Sequence, residues 1–132
     1  MNNKIFLIID DDEDDRMFFK DAIQELAPSA VCLEANGSVE AISLLHHAKQ
    51  LPYCIFLDIN MPSIDGRECL EFLKNDSLLK HIMVIMYSTS SSDKSIKEFL
   101  TLGAAGYLNK PTDLNQLPAH ILTAIKSINN TV

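Results

Sequence analysis

Short, continuously apolar runs separated by amphipathic segments most constrain how this chain can fold. The runs read IFLII at residues 5–9, VCL at 31–33, CIFL at 54–57 and IMVIMY at 82–87, with a briefer fifth run, GYL, at 106–108. Apolar runs of this length, in which polar residues do not alternate with apolar ones, are typical of strands covered on both faces. The pattern therefore predicts a parallel sheet packed between helices.

Each segment between the runs carries the pattern of an amphipathic helix. Residues 15–26 place Phe19, Ala22, Ile23 and Leu26 on one stripe, and Pro28 stops the helix. Two further helices are predicted at residues 39–48, capped by Ser38, and at residues 66–74. A fourth helix begins after a cap at Ser92 or Asp93 and ends at residue 102, before Gly103. The last helix begins near Asn115, with Pro118 in its first turn. This gives five βα units in one α/β domain over residues 1–132, with a core at about 4–129.

Composition excludes several classes of protein. A chain of 132 residues suits one domain, and its net charge of -7 argues against binding nucleic acid through phosphate neutralisation. Cys32, Cys54 and Cys69 are odd in number and lack CxxC spacing, so we expect buried free thiols in a reducing compartment. No apolar run suits a signal peptide or approaches the roughly 18 residues of a membrane span. We expect a cytoplasmic protein with no membrane partner.

Polar side chains follow four of the predicted strands. Asp10, Asp11 and Asp12 come after the first run, Asp58 after the third, Ser88 and Thr89 after the fourth, and Lys110 with Pro111 after the fifth. In an open parallel sheet, ligands bind at the carboxyl ends of the strands, where the strand order reverses. These carboxylates, hydroxyls and the ammonium should therefore meet at one edge of the sheet.

The chemistry of this group points to phosphoryl transfer assisted by a cation. Two carboxylates about 4 Å apart repel by roughly 4 kcal/mol at an effective dielectric near 20, so Asp10, Asp11 and Asp58 need a positive charge between them. A cluster of oxygen ligands without His or Cys favours Mg2+. Lys110 and Ser88 could hold phosphoryl oxygens, while Asp58 could accept the group as an aspartyl phosphate.

Each of these residues also has a plain structural interpretation. The string DDDEDD can be a solvated helix start, Asp58 a turn or cap residue, Lys110 an exposed loop residue and Ser88 part of a polar loop. The histidines are interpreted as surface and packing residues and not as phosphocarriers; they are His46, His47, His81 and His120. The functional interpretation depends on the carboxylates, the hydroxyl and the lysine occurring together in this order.

That order resembles the receiver domain of two-component response regulators, the family of the chemotaxis protein CheY. The resemblance rests on DDD at 10–12, LDINMP at 57–62, YSTS at 87–90 and GYLNKP at 106–111, and it covers the chain from Lys4 to about Asn129. It implies a flavodoxin-like, doubly wound (βα)5 sheet in the order 2-1-3-4-5. Periodicity alone does not predict that order.

The resemblance also implies a role for each site residue. Asp58 would be the phosphoacceptor and a Mg2+ ligand, together with Asp11, the Asn60 backbone carbonyl and, through water, Asp10. Lys110 and Ser88 would hold the phosphoryl group, and Ser88 would act as the switch hydroxyl. Tyr107 would be the switch aromatic that turns inward; the alternative is a plain core residue. The Lys110–Pro111 peptide bond would be cis, which costs about 0.5 to 1 kcal/mol before proline.

The expected function is that of a stand-alone receiver, because only Asn130, Thr131 and Val132 follow the predicted core. Such a protein takes its phosphoryl group from a histidine kinase or phosphotransfer protein, and catalyses only its own phosphorylation and dephosphorylation. A downstream protein would bind the face formed by helix 4, strand 5 and helix 5. The chain would be a monomer or a dimer formed on phosphorylation, and it would bind no nucleic acid.

Three other functions remain as alternatives. A pseudo-receiver acting only as a scaffold would be expected to lack an acidic residue or the lysine, and neither is missing. A haloacid-dehalogenase-like phosphatase uses similar groups but needs a DxD nucleophile motif after the first strand. Turnover of an external phosphate ester would favour it. A flavin-binding site would need its phosphate loop after the first strand, where three carboxylates stand instead.

Overall fold

Five strands alternate with five α-helices in the computed structural model, which describes residues 1–89 and 92–129. The elements are β1 (Ile5–Ile9), α1 (Glu13–Leu26), β2 (Val31–Ala35), α2 (Ser38–His47), β3 (Cys54–Asp58), α3 (Gly66–Asn75), β4 (Met83–Ser88), α4 (Asp93–Thr101), β5 (Gly106–Asn109), a 3-10 turn (Leu114–Gln116) and α5 (Leu117–Asn129). Ser90, the last residue of the YSTS motif, lies outside the described residues. The predicted succession of βα units is confirmed.

The five strands form one sheet in the order β2-β1-β3-β4-β5, with every neighbouring pair parallel. This is the doubly wound, flavodoxin-like order that the resemblance implied. The chain runs from β1 outward to β2, then crosses back to β3 on the other side of β1. The carboxyl ends of β1 and β3 are therefore adjacent at the point where the direction of winding reverses, which is where ligands bind in such sheets.

Both faces of the sheet are buried, which explains the continuously apolar runs. In β1, Phe6 and Ile8 pack on the side of α1 and α5, whereas Leu7 and Ile9 pack on the side of α2, α3 and α4. All five residues of β3 are buried. Full burial of an aliphatic or phenyl side chain stabilises the fold by about 1.5 to 3 kcal/mol, so the two apolar layers hold the strand ends in fixed positions.

Side chains cap the starts of α1 and α4, and the cap at Ser92 was predicted. Asp12 accepts hydrogen bonds from the backbone of Asp14 and Asp15, and Ser92 caps α4. The predicted Ser38 cap is wrong, because Ser38 is the first residue of α2 and its buried hydroxyl donates to the Ile64 carbonyl at 2.9 Å. That carbonyl is in a loop distant in sequence. The serine therefore joins α2 to the loop that precedes α3.

The loop after β3 folds tightly against the end of its own strand. Gly66, the first residue of α3, donates its backbone N–H to the Ile59 carbonyl at 2.9 Å. A Cβ atom at Gly66 would lie 2.4 Å from the Asp58 carbonyl oxygen and 2.7 Å from Ile59 Cα. Only glycine allows this close approach, which fixes the backbone that carries Asp58.

The three cysteines are free thiols; Cys54 and Cys69 are buried as predicted, whereas Cys32 is only partly buried. Within the described residues, every helix is too short or too polar to cross a membrane.

Candidate functional site

Three neighbouring strands end in buried polar side chains. Asp10 follows β1, Asp58 is the last residue of β3, and Ser88 is the last residue of β4, with exposed fractions of 0%, 5% and 1%. Lys110 follows β5, and its backbone N–H donates to the Ser88 carbonyl at 2.7 Å. The sheet order therefore places all four predicted residues along one edge, as the positions of the strand ends indicated.

The carboxylates of Asp10, Asp11 and Asp58 form a compact cluster. Each offers an oxygen, and these oxygens all lie within 4.8 Å of one another. Asp10 and Asp58 are buried, whereas Asp11 is exposed at the mouth of the cluster. The donors are oxygens alone, as a hard divalent cation such as Mg2+ prefers. The residue types and their spacing thus fit the predicted metal site.

Lys110 is the cation of the site, and it contacts more acids than predicted. Its Nζ donates to Asp10 Oδ2 at 2.8 Å and to Asp15 Oδ2 at 2.9 Å, and lies 3.6 Å from Asp58 Oδ1. It also lies 4.9 Å from the centroid of the buried Tyr87 ring, close enough for a cation–π interaction. Asp15 was not among the predicted site residues, although it lies four residues before Phe19 and so extends the buried stripe of α1.

Burial and mutual repulsion shift the ionisation of these groups. Burial raises the pKa of Asp58 to about 7, the charge of Asp10 contributes to the rise, and the ammonium of Lys110 opposes it. Burial likewise raises the pKa of Asp10, although Lys110 and the Asp12 backbone N–H act against it. For Lys110, burial would lower the pKa, but hydrogen bonds to Asp10 and Asp15 raise it above its ordinary value. The single positive charge of Lys110 thus does not neutralise the negative charge of the clustered carboxylates.

The remaining predicted residues lie around this cluster. The backbone N–H of Asn60 donates to the Asp58 carboxylate, so the loop after β3 turns toward the site. Tyr107 on β5 is partly buried, and its ring centroid lies 6.5 Å from that of Phe99 on α4. Its ring therefore already packs against the helix that precedes its strand. The switch roles of Ser88 and Tyr107 stay predictions.

One predicted feature of the backbone is wrong. No peptide bond within residues 1–89 or 92–129 is cis, so the Lys110–Pro111 bond is trans. A cis bond is not needed to direct the lysine toward the site, because its long side chain reaches Asp10 and Asp15 from the trans backbone.

The histidines take no part in the cluster. His46 Nε2 contacts Asp76 Oδ2 at 2.7 Å, and His47 Nδ1 contacts the Ser43 carbonyl at 2.8 Å. Both contacts are exposed at the protein surface, and the first joins α2 to the end of α3. They agree with the interpretation of these residues as surface and packing residues.

Comparison with known families agrees with this geometry. The model of the response regulator receiver domain family matches residues 6–122. The chain belongs to this family. Receiver domains are signalling modules of two-component systems, and membership implies a phosphoacceptor role.

Individual relatives are response regulators of several kinds. The chain is 32% identical over 111 residues to an uncharacterized response regulatory protein of Shewanella oneidensis, covering 84% of this chain and 44% of that protein. It is 29% identical to a protein-glutamate methylesterase/protein-glutamine glutaminase of Pyrococcus horikoshii, covering 96% of this chain and 35% of that protein. The chain thus spans less than half of each of these relatives. It covers 85% of the polar-differentiation response regulator DivK of Brucella ovis, at 29% identity and over 82% of this chain.

Solved receiver structures share the whole fold. The phosphorylated cyanobacterial phytochrome response regulator RcpA has a TM-score of 0.84 at 26% identity, covering 98% of this chain and 96% of that one. The Mn2+-bound form of response regulator Rcp1 has a TM-score of 0.80 at 25% identity, with the same coverage. Chemotaxis protein CheY4 of Vibrio cholerae, at 24% identity and a TM-score of 0.78 over 92% of this chain and 98% of its own, supports the fold alone.

Proposed function

We propose that this receiver accepts a phosphoryl group on the carboxylate of Asp58. The observation that carries the proposal is the position of Lys110 Nζ, 3.6 Å from Asp58 Oδ1, in a pocket with two further clustered carboxylates. A buried, ionised aspartate at a strand end would destabilise the fold if no positive charge lay beside it. Beside an ammonium and a buried hydroxyl, it is a suitable nucleophile.

The chain's own groups would supply the attacking atom and stabilise the transferred charge. An Asp58 oxygen attacks phosphorus, and the P–N bond breaks in a phosphohistidine whose other ring nitrogen carries a proton. The electron pair leaves with the imidazole, which is then neutral. Lys110 and the Ser88 hydroxyl would contact the phosphoryl oxygens. Hydrolysis would later break the new P–O bond by attack of water, returning Asp58 as a carboxylate and releasing inorganic phosphate.

Mg2+ is the cofactor that we propose for the acidic cluster. Asp11, Asp58 and the Asn60 backbone carbonyl would hold it directly, and Asp10 would hold it through water. When bound, it would neutralise charge on the carboxylates and the phosphoryl oxygens. The oxygen-only donor set supports this assignment, as does the similarity to the Mn2+-bound Rcp1.

The donor would be a histidine kinase or phosphotransfer protein, and the output would leave through α4, β5 and α5. Ser88 at the end of β4 and Tyr107 on β5 would report the state of Asp58 to this face. The contact between the Tyr107 and Phe99 rings supports such a connection, because it joins β5 to α4. To change the population ratio of two conformations from 1:99 to 99:1, phosphorylation would have to stabilise one of them by about 5.5 kcal/mol relative to the other. The free thiols suit a cytoplasmic location.

Intact mass spectrometry tests the phosphoacceptor directly. The native chain is incubated with Mg2+ and acetyl phosphate, beside Asp58→Asn, a chelated sample and the control Asp21→Asn, which removes an exposed carboxylate from α1. One phosphoryl adduct is expected on the native and Asp21→Asn chains and on neither other sample. Undiminished labelling of Asp58→Asn would reject Asp58 as the acceptor, and turnover of acetyl phosphate without any adduct would favour a phosphatase.

A further inference from the structure

We infer that Asp15 is a positioning residue that restrains Lys110 and thereby slows phosphorylation of Asp58. The inference rests on the proposed roles of Asp58 and Lys110 and adds a residue outside the predicted site. Asp15 lies in the first turn of α1, where Asp12 caps the helix by accepting the Asp15 backbone N–H at 3.1 Å. Its carboxylate is thus held beside the lysine.

The described side-chain hydrogen bonds of Lys110 are made to Asp10 and Asp15 and not to the proposed acceptor. A lysine ammonium has three N–H donors. One donates to Asp10 at 2.8 Å and one to Asp15 at 2.9 Å, whereas the 3.6 Å separation from Asp58 is too long for a hydrogen bond. To contact a phosphoryl group on Asp58, the ammonium has to move toward it and weaken at least one existing bond.

Asp15 is the partner that can be released. The Asp10 side chain is 1% exposed and would lose its compensating charge in a buried setting, whereas the Asp15 side chain is 33% exposed. Water can hydrate the Asp15 carboxylate when the lysine leaves, so breaking this contact costs less than breaking the contact with Asp10. Movement of Lys110 toward the phosphoryl group should therefore break the Asp15 contact first.

Removal of the Asp15 charge should speed the transfer step. In that step an Asp58 oxygen forms a bond to phosphorus, the P–O bond of acetyl phosphate breaks, and acetate leaves with the electron pair. Lys110 keeps its proton and moves toward the transferred group. With Asn at position 15 a neutral amide replaces the competing carboxylate, so less attraction has to be overcome at the transition state.

The experiment compares the saturating phosphorylation rate and the half-saturating acetyl phosphate concentration of the full chain and its variants at saturating Mg2+. For Asp15→Asn the saturating rate is expected to rise about five-fold, the size of effect expected for a partly exposed charge-assisted contact. The half-saturating concentration should change little. Asp14→Asn removes the neighbouring exposed charge, which makes no described ion pair, and should leave both quantities near native.

Two further variants separate restraint of Lys110 from a general effect of charge or folding. Asp15→Glu keeps the carboxylate and should restore the slow native rate. In a Lys110→Ala background, adding Asp15→Asn should change the residual rate little, because the restrained group is gone. Thermal unfolding of each variant confirms that the rates compare folded chains.

The outcomes are distinct for the two proposals. A native chain that acquires no adduct would reject the proposed function itself. A native chain that is labelled normally, with an Asp15→Asn rate that is unchanged or slower, would overturn the restraint by Asp15 and leave Asp58 as acceptor. An equal acceleration in Asp14→Asn would also overturn it, since general charge would then explain the effect.

Discussion

The backbone N–H of Lys110 donates to the carbonyl of Ser88 at 2.7 Å, which fixes the ends of β4 and β5 beside each other. The two residues that would hold phosphoryl oxygens are therefore set by main-chain pairing and not by side-chain flexibility. This bond survives changes of either side chain. Substitutions at these positions can alter the chemistry of the site without separating the strands.

Asp58→Asn should stabilise the metal-free chain at neutral and higher pH. The folded chain raises the pKa of Asp58 from an ordinary value of 3.8 to about 7, so ionisation of this carboxyl disfavours the folded state. The penalty is absent below about pH 4, where the carboxyl is protonated whether or not the chain is folded, and it grows until the pH exceeds 7. At pH 8 the variant should gain on the order of 4 kcal/mol in unfolding free energy.

Urea unfolding in chelator at pH 5 and pH 8 measures this gain. The exposed-site variant Asp21→Asn serves as the control and should show little gain at either pH. A gain for Asp58→Asn that is the same at both values would contradict the assignment, because it would not follow ionisation of the buried carboxyl.

Mg2+ should stabilise the folded chain in a manner that requires Asp11. The cluster oxygens are brought together only by the fold, so a bound ion favours the folded state by about 2.7 kcal/mol when its concentration is 100 times the dissociation constant. Thermal unfolding across a MgCl2 titration measures the effect. Asp11→Asn should greatly weaken it, whereas Asp14→Asn should retain it. An equal response in Asp11→Asn would exclude Asp11 as a ligand.

Gly66→Ala should damage both stability and phosphorylation. The added Cβ would lie 2.4 Å from the Asp58 carbonyl oxygen, so the loop or the strand end has to shift. We expect a loss of about 1 to 3 kcal/mol, typical of overpacking, and slower labelling of Asp58. Gly37→Ala is the matched control, because no neighbouring atom lies within 4 Å of its added Cβ. Native stability in Gly66→Ala would show that the loop adapts without cost.

The order of elements was predictable because it depends on local patterns, whereas long-range contacts were not. The continuous run at 54–57 predicts a strand with both faces buried, and β3 is buried throughout. Strand order came only from the resemblance, since apolar runs do not encode which strands pair. Ser38 looked like a helix cap, yet its hydroxyl contacts Ile64, 26 residues away. No local pattern specifies that partner.

Asp15 shows the same limit at the site. Within DDDEDD it is indistinguishable by composition from solvated neighbours, and Lys110 is 95 residues away. A usable signal was nevertheless present, because Asp15 continues the helical stripe of Phe19 and Ala22 toward the sheet edge. A carboxylate on the same helical stripe as buried residues is a candidate for an ion pair with a distant basic residue.

Lys110 and Asp10, which are in contact, are 100 residues apart in the chain. The site can therefore form only late in translation. At about 5 to 20 residues per second, the ribosome adds the lysine roughly 5 to 20 s after the aspartate. Until then the acidic residues at the growing sheet edge lack their lysine. The residue after the last strand thus completes the pocket, and a nascent chain cannot form the whole proposed phosphoacceptor site before nearly the whole domain has emerged.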